Sequence, residues 1–207
     1  MELLELYKKR KSEIRKRIEE FKKLGNASDE EIFAELCFCL CTPQSKAKIC
    51  DRFIRAVKES GLLYRGSENE IKKYMRGIRF PNNKSKYIVH ARKLFTEKGK
   101  LKIKDKLNGE PKKVREWLVK NVKGMGMKEA SHFLRNIGKG GGLAILDRHI
   151  LKNLKELDVI KEIPSTLTKT KYLEIERKMK EFSKKIGIPL GELDLLLWSK
   201  ETGEVFK

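Results

Sequence analysis

The segment Gly124-Met125-Gly126 joins two stretches with helical apolar spacing, and it constrains more than any other how this chain can fold. The pattern predicts a helix ending near Val122 and a second helix beginning at about Lys128. Glycines on both sides of one apolar residue let the backbone turn sharply and approach a partner closely, because no Cβ is in the way. The N–H groups and positive dipole end of the second helix suit a phosphate. We therefore predict a helical hairpin that grips DNA.

Apolar residues recur at helical spacing along the rest of the chain, which predicts an all-α fold. Residues 2–24 form an amphipathic pattern, and Ser67 with Glu70 is a capping box that opens a short helix. A later helix is expected to close at Gly99. No segment alternates between apolar and polar residues over six positions, with the brief run 143–146 as the one candidate, so the pattern predicts no clear strand.

The charge of the chain favours a polyanionic partner. It carries 49 Lys and Arg against 29 Asp and Glu, a formal net charge of +20. Many of these charges belong on solvated helix faces, but so large an excess favours nucleic acid, with binding that weakens steeply as salt rises. The sequence contains no apolar run long enough to predict a membrane-spanning helix. Its first residues are amphipathic and include acidic side chains, unlike a secretory signal.

The four cysteines are Cys37, Cys39, Cys41 and Cys50. Their spacing matches neither a zinc pair nor an iron–sulfur array, and the surrounding residues are apolar on every side. We therefore predict a buried helix with small sulfur side chains rather than metal ligation, and a reducing cytoplasm as the location. A chain with 38% charged residues and a single glutamine also suggests heat adaptation.

Five segments carry a resemblance to a known family. G-M-G-M-K-E-A followed by the aspartate of I-L-D-R-H-I resembles the helix-hairpin-helix glycosylases of base-excision repair, the endonuclease III superfamily. F-C-L-C-T-P-Q-S-K-A and G-I-R-F-P-N-N-K-S-K-Y-I look like the segments that these enzymes place against DNA. The ending D-L-L-L-W-S-K-E-T-G-E-V-F-K is similar to the archaeal-type, second class of 8-oxoguanine DNA glycosylases.

The resemblance implies a two-lobed fold with the active site in the cleft between the lobes. Residues 33–142 would form one lobe, ending in the hairpin, and residues 1–32 plus 143–207 the other. The implied activity is that of a monomeric glycosylase and AP lyase that excises 8-oxoguanine from double-stranded DNA. The chain lacks the C-terminal cysteine cluster of many relatives, so we expect no iron–sulfur centre and no metal. The resemblance suggests at most a monovalent cation held by hairpin carbonyls.

Lys128 and Asp147 are the predicted catalytic residues. An uncharged lysine amine can attack C1′ of the damaged nucleotide, displace the base and leave a Schiff base, after which the 3′ phosphate is eliminated. The start of a helix, beside its positive dipole end and in a partly dry cleft, disfavours the charged amine. Asp147 would stabilise the positive charge that develops on the sugar. The plainer alternatives are a phosphate-contacting lysine and an ordinary helix N-cap.

A base must leave the duplex to be reached, so some residue must fill the gap. Gln44 is the candidate to fill that space. The alternative is that its side-chain amide only caps the next helix. Phe80, Asn82 and Asn83 are candidates for a wedge in the minor groove, although Phe80 suits the core equally well. Lys84 in the same segment, like Gly124, Met125 and Gly126 of the hairpin, is assigned to the DNA contact.

The flipped base needs an aromatic pocket with a few polar contacts. Trp198 would stack on the base, and Asp194 would accept a hydrogen bond from one of its N–H groups. The resemblance implies that the carboxylate of Lys207 takes part in recognising 8-oxoguanine, which has a donor at N7 where guanine has none. The alternative is that Trp198 belongs to the core and the tail frays.

Two other functions remain open from the sequence. The same chemistry can act on another oxidised base, such as an oxidised pyrimidine. A non-enzymatic hairpin module that binds DNA would need neither Lys128 nor Asp147.

Overall fold

A computed structural model describes residues 2–207, within which it shows eleven α helices and one two-stranded β ribbon. The helices are α1 (Glu2–Gly25), α2 (Asp29–Cys41), α3 (Ala47–Glu59), α4 (Leu62–Arg65), α5 (Glu68–Lys73), α6 (Pro81–Phe95), α7 (Pro111–Asn121), α8 (Met127–Asn136), α9 (Arg148–Glu156), α10 (Lys169–Ile186) and α11 (Leu190–Thr202). The ribbon pairs β1 (Thr96–Glu97) with β2 (Lys100–Leu101), and a 3₁₀ turn follows at Ile103–Lys106. The predicted all-α fold is confirmed, and no helix in the described part of the chain is long and apolar enough to cross a membrane.

The sequence pattern did not predict the β ribbon. The helix expected to close at Gly99 ends at Phe95, and an antiparallel pair follows in which Thr96 lies opposite Leu101. Both turn residues have positive φ, 49° at Lys98 and 78° at Gly99. That geometry is typical of the two-residue turns whose twist matches a hairpin.

The alternating run Leu143–Leu146 is buried but is not a strand. Side chains of α10 occupy its hydrogen-bonding groups: Glu176 accepts the N–H of Ala144 at 2.9 Å, and the Tyr172 hydroxyl donates to the Ala144 carbonyl at 2.6 Å. Because these side chains satisfy its backbone, the segment can be buried without a neighbouring strand.

Two compact units divide the chain. The middle unit comprises residues 26–133, and the terminal unit comprises residues 2–25 with 134–207. The predicted lobe of residues 33–142 begins and ends several residues later than the middle unit, and the two predicted lobes stay a prediction.

The core of the middle unit is built around α2, which contacts α3, α6 and the 3₁₀ turn. Every residue of α2 from Ile32 to Cys41 is buried, as its apolar surroundings predicted. The four cysteines are buried free thiols, and Cys50 Sγ donates to the carbonyl of Cys41 at 3.2 Å. The thiols therefore pack as small apolar groups.

The core of the terminal unit lies where α1, α9 and α10 pack against α11. The buried Tyr7 hydroxyl on α1 donates to the carboxylate of Glu192 on α11. At the end of α1, a Cβ on Gly25 would lie 2.2 Å from the carbonyl oxygen of Ile137. Only glycine therefore allows α1 to end this close to that backbone.

Candidate active site

The predicted hairpin is present in the structure. Helix α7 ends at Asn121, the N–H of Met125 donates to the carbonyl of Val122 at 3.2 Å, and α8 begins at Met127. The side chains of Val122 and Met125 are buried, at 2% and 5% exposure. The buried side chain of Met125 therefore stabilises the turn, and the part of the turn that a ligand can contact is mainly its backbone.

The tip of the hairpin depends on a contact that the sequence analysis missed. Gly124 has φ of +81°, and a Cβ there would lie 2.2 Å from Cδ2 of Tyr87 on α6. The left-handed backbone and the adjacent ring both demand glycine at this position. No local signal links Tyr87 to the hairpin, since the two are distant in sequence.

A carboxylate lies beside the predicted nucleophile. Lys128 Nζ is 2.9 Å from Oε1 of Glu129, and Oε2 of Glu129 accepts the backbone N–H of Gly126 at 3.1 Å. Both side chains are largely shielded from solvent. The helix dipole is therefore not the only charge near Lys128, because the Glu129 carboxylate forms an ion pair with its amine. Glu129 was not singled out from the sequence, although it directly follows Lys128.

Lys84 is buried rather than displayed, with only 3% of the residue exposed. Its amine donates to the carbonyls of Cys41 and Pro43, at 2.7 Å each, and to the hydroxyl of Ser45 at 3.0 Å. Burial lowers the pKa of Lys84, and the nearby charge of Lys128 lowers it further, while Cys41 and Cys50 oppose the shift. This placement opposes the predicted direct contact between Lys84 and DNA, because the amine is already committed to protein oxygens.

Four predicted DNA-contacting side chains of the middle unit, those of Gln44, Phe80, Asn82 and Asn83, lie at the surface. Gln44 is exposed in a tight turn, and Phe80 is 48% exposed, so Phe80 is not a core residue. Pro81 begins α6, and the exposed Asn82 and Asn83 occupy its first turn. Proline suits this first helical position, where its missing N–H costs nothing.

Asp147 is the N-cap of α9 in the terminal unit. Its Oδ1 accepts the backbone N–H groups of His149 and Ile150, both at 2.8 Å. These bonds hold the half-buried carboxylate in one orientation. The capping interpretation is therefore confirmed, and it is compatible with a catalytic role because both need a fixed anion.

Asp194 is a buried carboxyl on α11. Burial raises its pKa to about 7, with Arg135 opposing the shift and Asp147 adding to it. Arg135 Nη1 lies 3.7 Å from Asp194 Oδ2, and the same guanidinium lies over the ring of Phe21 at 4.8 Å. Asp194 can therefore change its protonation state near neutral pH, a property that its apolar sequence surroundings do not specify.

The C-terminal tail is packed in the terminal unit. Val205 is 5% exposed, and the carbonyl of Gly203 accepts a hydrogen bond from Arg10 at 3.0 Å. The half-buried ring of Trp198 lies 6.5 Å from the ring of Phe206, centre to centre and tilted by 31°. Trp198 and the residues leading to Lys207 are thus ordered together, which opposes the fraying alternative.

The monovalent cation suggested for the hairpin is compatible with the groups present there. The last carbonyls of any α helix lack intrahelical partners, and those of α7 lead directly into the turn at Gly124. Backbone carbonyl oxygens are hard donors that suit such an ion. Among residues 2–207, no group of three or more His, Cys, Asp or Glu side chains is arranged to hold a metal.

Comparison with known proteins agrees with the motif resemblance. The profile of the 8-oxoguanine DNA glycosylase family matches residues 14–188. An 8-oxoguanine DNA glycosylase/AP lyase of Fusobacterium nucleatum is 47% identical over 209 residues, covering 100% of this chain and 96% of the relative.

Two crystal structures of related enzymes superpose on the chain. The 8-oxoguanine DNA glycosylase of Thermotoga maritima is 37% identical with a TM-score of 0.89, covering 100% of this chain and 97% of that one. The 8-oxoguanine glycosylase/lyase of Methanocaldococcus jannaschii, solved in complex with a 15mer DNA containing 8-oxoguanine, is 39% identical with a TM-score of 0.88 and full coverage of both chains. The chain therefore belongs to the 8-oxoguanine DNA glycosylase family.

Proposed function

We propose that this protein excises 8-oxoguanine from double-stranded DNA and then cleaves the strand at the abasic site. The observation that carries the proposal is the match to 8-oxoguanine DNA glycosylase/AP lyases over the whole chain, together with a lysine at the start of the hairpin's second helix. The formal net charge of +20 suits a DNA substrate. We place the protein in the cytoplasm, acting as a monomer.

Lys128 is the proposed nucleophile. Its amine attacks C1′ of the damaged nucleotide, the bond from C1′ to the base breaks, and the base leaves with the electron pair. The C1′–O4′ bond of the sugar then opens, with O4′ taking the electron pair and a proton, which leaves C1′ joined to Lys128 as a Schiff base. Loss of a proton from C2′ then expels the 3′ phosphate by β-elimination. The ammonium must first lose a proton, and the Glu129 carboxylate at 2.9 Å is placed to accept it.

Asp147 is proposed to stabilise the positive charge that develops on the sugar. Its carboxylate is held by two backbone N–H groups, so it needs no reorganisation during the reaction. Lys128 belongs to the middle unit and Asp147 to the terminal unit. The proposal therefore requires both units to present these groups to one extruded nucleotide.

Recognition of the base is assigned to Trp198, Asp194 and Lys207. The half-buried indole offers a stacking surface, and ionised Asp194 can accept a hydrogen bond from a base N–H. With a pKa of about 7, Asp194 supplies that acceptor more fully as the pH rises through neutrality. We expect one residue added after Lys207 to reduce excision; unchanged excision would remove Lys207 from recognition.

The DNA-contacting surface is proposed to comprise two sets of groups. Gln44 and Phe80 would fill the space of the extruded base, with Asn82 and Asn83 reading base edges beside them. The turn Gly124–Gly126 would bring the backbone close to a phosphate, which the start of α8 would bind, because the N–H groups of Met125 and Gly126 already donate to Val122 and Glu129.

Borohydride trapping on a duplex that contains 8-oxoguanine tests the proposal. Wild-type protein should form a covalent complex, and Lys128→Gln should abolish it while DNA binding persists. Lys123→Gln is the matched control, because it removes an exposed lysine from the same hairpin. Undiminished trapping in Lys128→Gln would exclude Lys128 as the nucleophile.

Two further comparisons complete the test. Asp147→Asn should reduce excision far more than binding, and a near-wild-type excision rate would leave Asp147 as a helix cap only. Duplexes with oxidised pyrimidines should be cleaved more slowly than the 8-oxoguanine duplex, and faster cleavage would change the assigned lesion.

A further inference from the structure

The amine of Lys84 is the centre of a small hydrogen-bond cluster in the middle unit. It donates to three oxygens, those of Cys41, Pro43 and Ser45, which surround the turn that carries Gln44. The turn is closed by the N–H of Ser45, which donates to the carbonyl of Thr42 at 3.0 Å. Lys84 therefore fixes the backbone on both sides of Gln44.

The same cluster reaches the segment that carries Phe80. The hydroxyl oxygen of Ser45, besides accepting from Lys84, accepts the backbone N–H of Arg79 at 3.0 Å. Phe80 is the next residue and caps α6, the helix on which Lys84 lies. One buried amine and one hydroxyl thus connect the two exposed side chains that are proposed to enter the DNA.

Both of these side chains stand on strained backbone. Gln44 has φ of 55° and Phe80 has φ of 58°, a left-handed conformation that non-glycine residues rarely adopt. Such conformations persist only where the surrounding structure holds them, and they cluster at functional sites. The hydrogen bonds of Lys84 to Cys41, Pro43 and Ser45 restrain the backbone around Gln44. The bond from the Arg79 N–H to Ser45 restrains the residue directly before Phe80.

A buried ammonium is a costly way to fill space. Burial lowers the pKa of Lys84, so keeping a charge here requires compensation by hydrogen bonds. An apolar side chain would pack without this cost but would remove the one donor that these three oxygens share. The Lys84 amine is therefore suited to holding several backbone and side-chain oxygens in fixed positions by directed hydrogen bonds.

We propose that Lys84 is a positioning residue that holds Gln44 and Phe80 together in the geometry needed to replace an extruded base. The inference rests on the proposed function, because it assumes that these two side chains enter duplex DNA. Lys84 itself contacts neither the DNA nor the reacting atoms. Its removal should impair base extrusion from a duplex and leave the chemistry of Lys128 intact.

The experiment compares Lys84→Met and Ser45→Ala with the control Lys93→Met. Lys93 is exposed on the same helix, so its replacement matches the Lys84 variant in side chain and net charge. Ser45→Ala keeps the ammonium of Lys84 and removes only the hydroxyl that joins it to Arg79, which separates anchoring from charge. Thermal melting of each variant establishes that it is folded.

Three readouts are needed. Single-turnover excision of 8-oxoguanine is measured in a duplex, 2-aminopurine fluorescence beside the lesion reports extrusion, and borohydride trapping on a single-stranded abasic oligonucleotide reports the amine chemistry alone. For both variants we expect duplex excision and the extrusion signal to fall, by on the order of a hundredfold in rate for Lys84→Met. Single-stranded trapping should stay within about threefold of wild type, as should every readout for Lys93→Met.

The outcomes separate the two proposals. An equal loss on duplex and single-stranded substrates, or unchanged duplex excision in both variants, would overturn the positioning role. If Lys84→Met does not fold, a duplex-specific loss in Ser45→Ala supports the role and an unaffected Ser45→Ala overturns it. Absence of trapping by the wild-type protein would instead refute the proposed lyase activity.

Discussion

The buried carboxyl of Asp194 should make the stability of the protein depend on pH in a defined direction. Its pKa rises from 3.8 to about 7 on folding, chiefly because burial penalises the charged form. Between about pH 4 and pH 7, the folded protein therefore retains a proton that the unfolded chain has lost. The contribution of Asp194 to stability should therefore fall as the pH rises through this window and should level off above it.

The size of this effect follows from the shift. A rise from 3.8 to about 7, at about 1.4 kcal/mol per pKa unit, corresponds to about 4 kcal/mol of unfolding free energy lost across the window. Asparagine resembles the neutral carboxyl, so Asp194→Asn should remove this loss. The variant should match wild type near pH 4 and exceed its stability by up to about 4 kcal/mol at pH 7.5.

Urea denaturation at pH 4.5, 6.0 and 7.5 measures this directly. Asp158→Asn is the control, because Asp158 is an exposed carboxylate of the same unit and asparagine tolerates its positive φ. Parallel stability profiles for wild type and Asp194→Asn would refute the argument that burial controls this carboxyl. We also expect the stabilised variant to excise 8-oxoguanine more slowly, since its neutral amide oxygen is a weaker acceptor for the base N–H than an ionised carboxylate.

Four other predictions concern the hairpin and the charge of the chain. Gly124→Ala should lower the free energy of unfolding by about 1–2 kcal/mol from backbone strain alone, and by displacing Tyr87 it should also weaken duplex binding measured by fluorescence anisotropy. Gly99→Ala is the control: its φ is also positive, +78°, but nothing lies near its Cβ, so it should show the loss of stability without the loss of binding. Glu129→Gln can still accept the Gly126 N–H but not a proton from Lys128, so single-turnover trapping should slow about tenfold or more; an unchanged rate would mean that another group takes the proton. Duplex affinity should fall by about a thousandfold or more between 50 and 200 mM salt, and a weak dependence would contradict extensive phosphate contact. The midpoint of thermal unfolding should exceed about 65 °C, and a mesophilic value would contradict heat adaptation.

Much of the fold could be predicted because it is encoded within a few residues. The capping box of Ser67 and Glu70 forms as predicted, and the glycine turn joins two helices at the expected place. Both depend on groups three or four residues apart, so spacing alone specifies them. The ribbon after Phe95 was missed because its strands have only two residues each, too short for any alternation to be visible.

The candidate site was predictable in its residue types but less so in their surroundings. Asp147 was expected to cap α9, and it does so through residues two and three positions ahead. Lys84, by contrast, reads in the sequence as one more basic residue near a loop. Its true partners lie about 40 positions away, at Cys41 and Pro43, and no local pattern specifies them.

The sequence by itself determined the helices, the hairpin and the family, because these depend on short-range spacing and on motifs that can be read directly. Only the tertiary structure decided which charged groups are removed from water and what they meet there. It buried Lys84 against three oxygens, placed Tyr87 over Gly124 and raised the pKa of Asp194 to about 7. Burial and its electrostatic consequences depend on neighbours supplied by the folded chain, and those neighbours are set by packing rather than by adjacency in sequence.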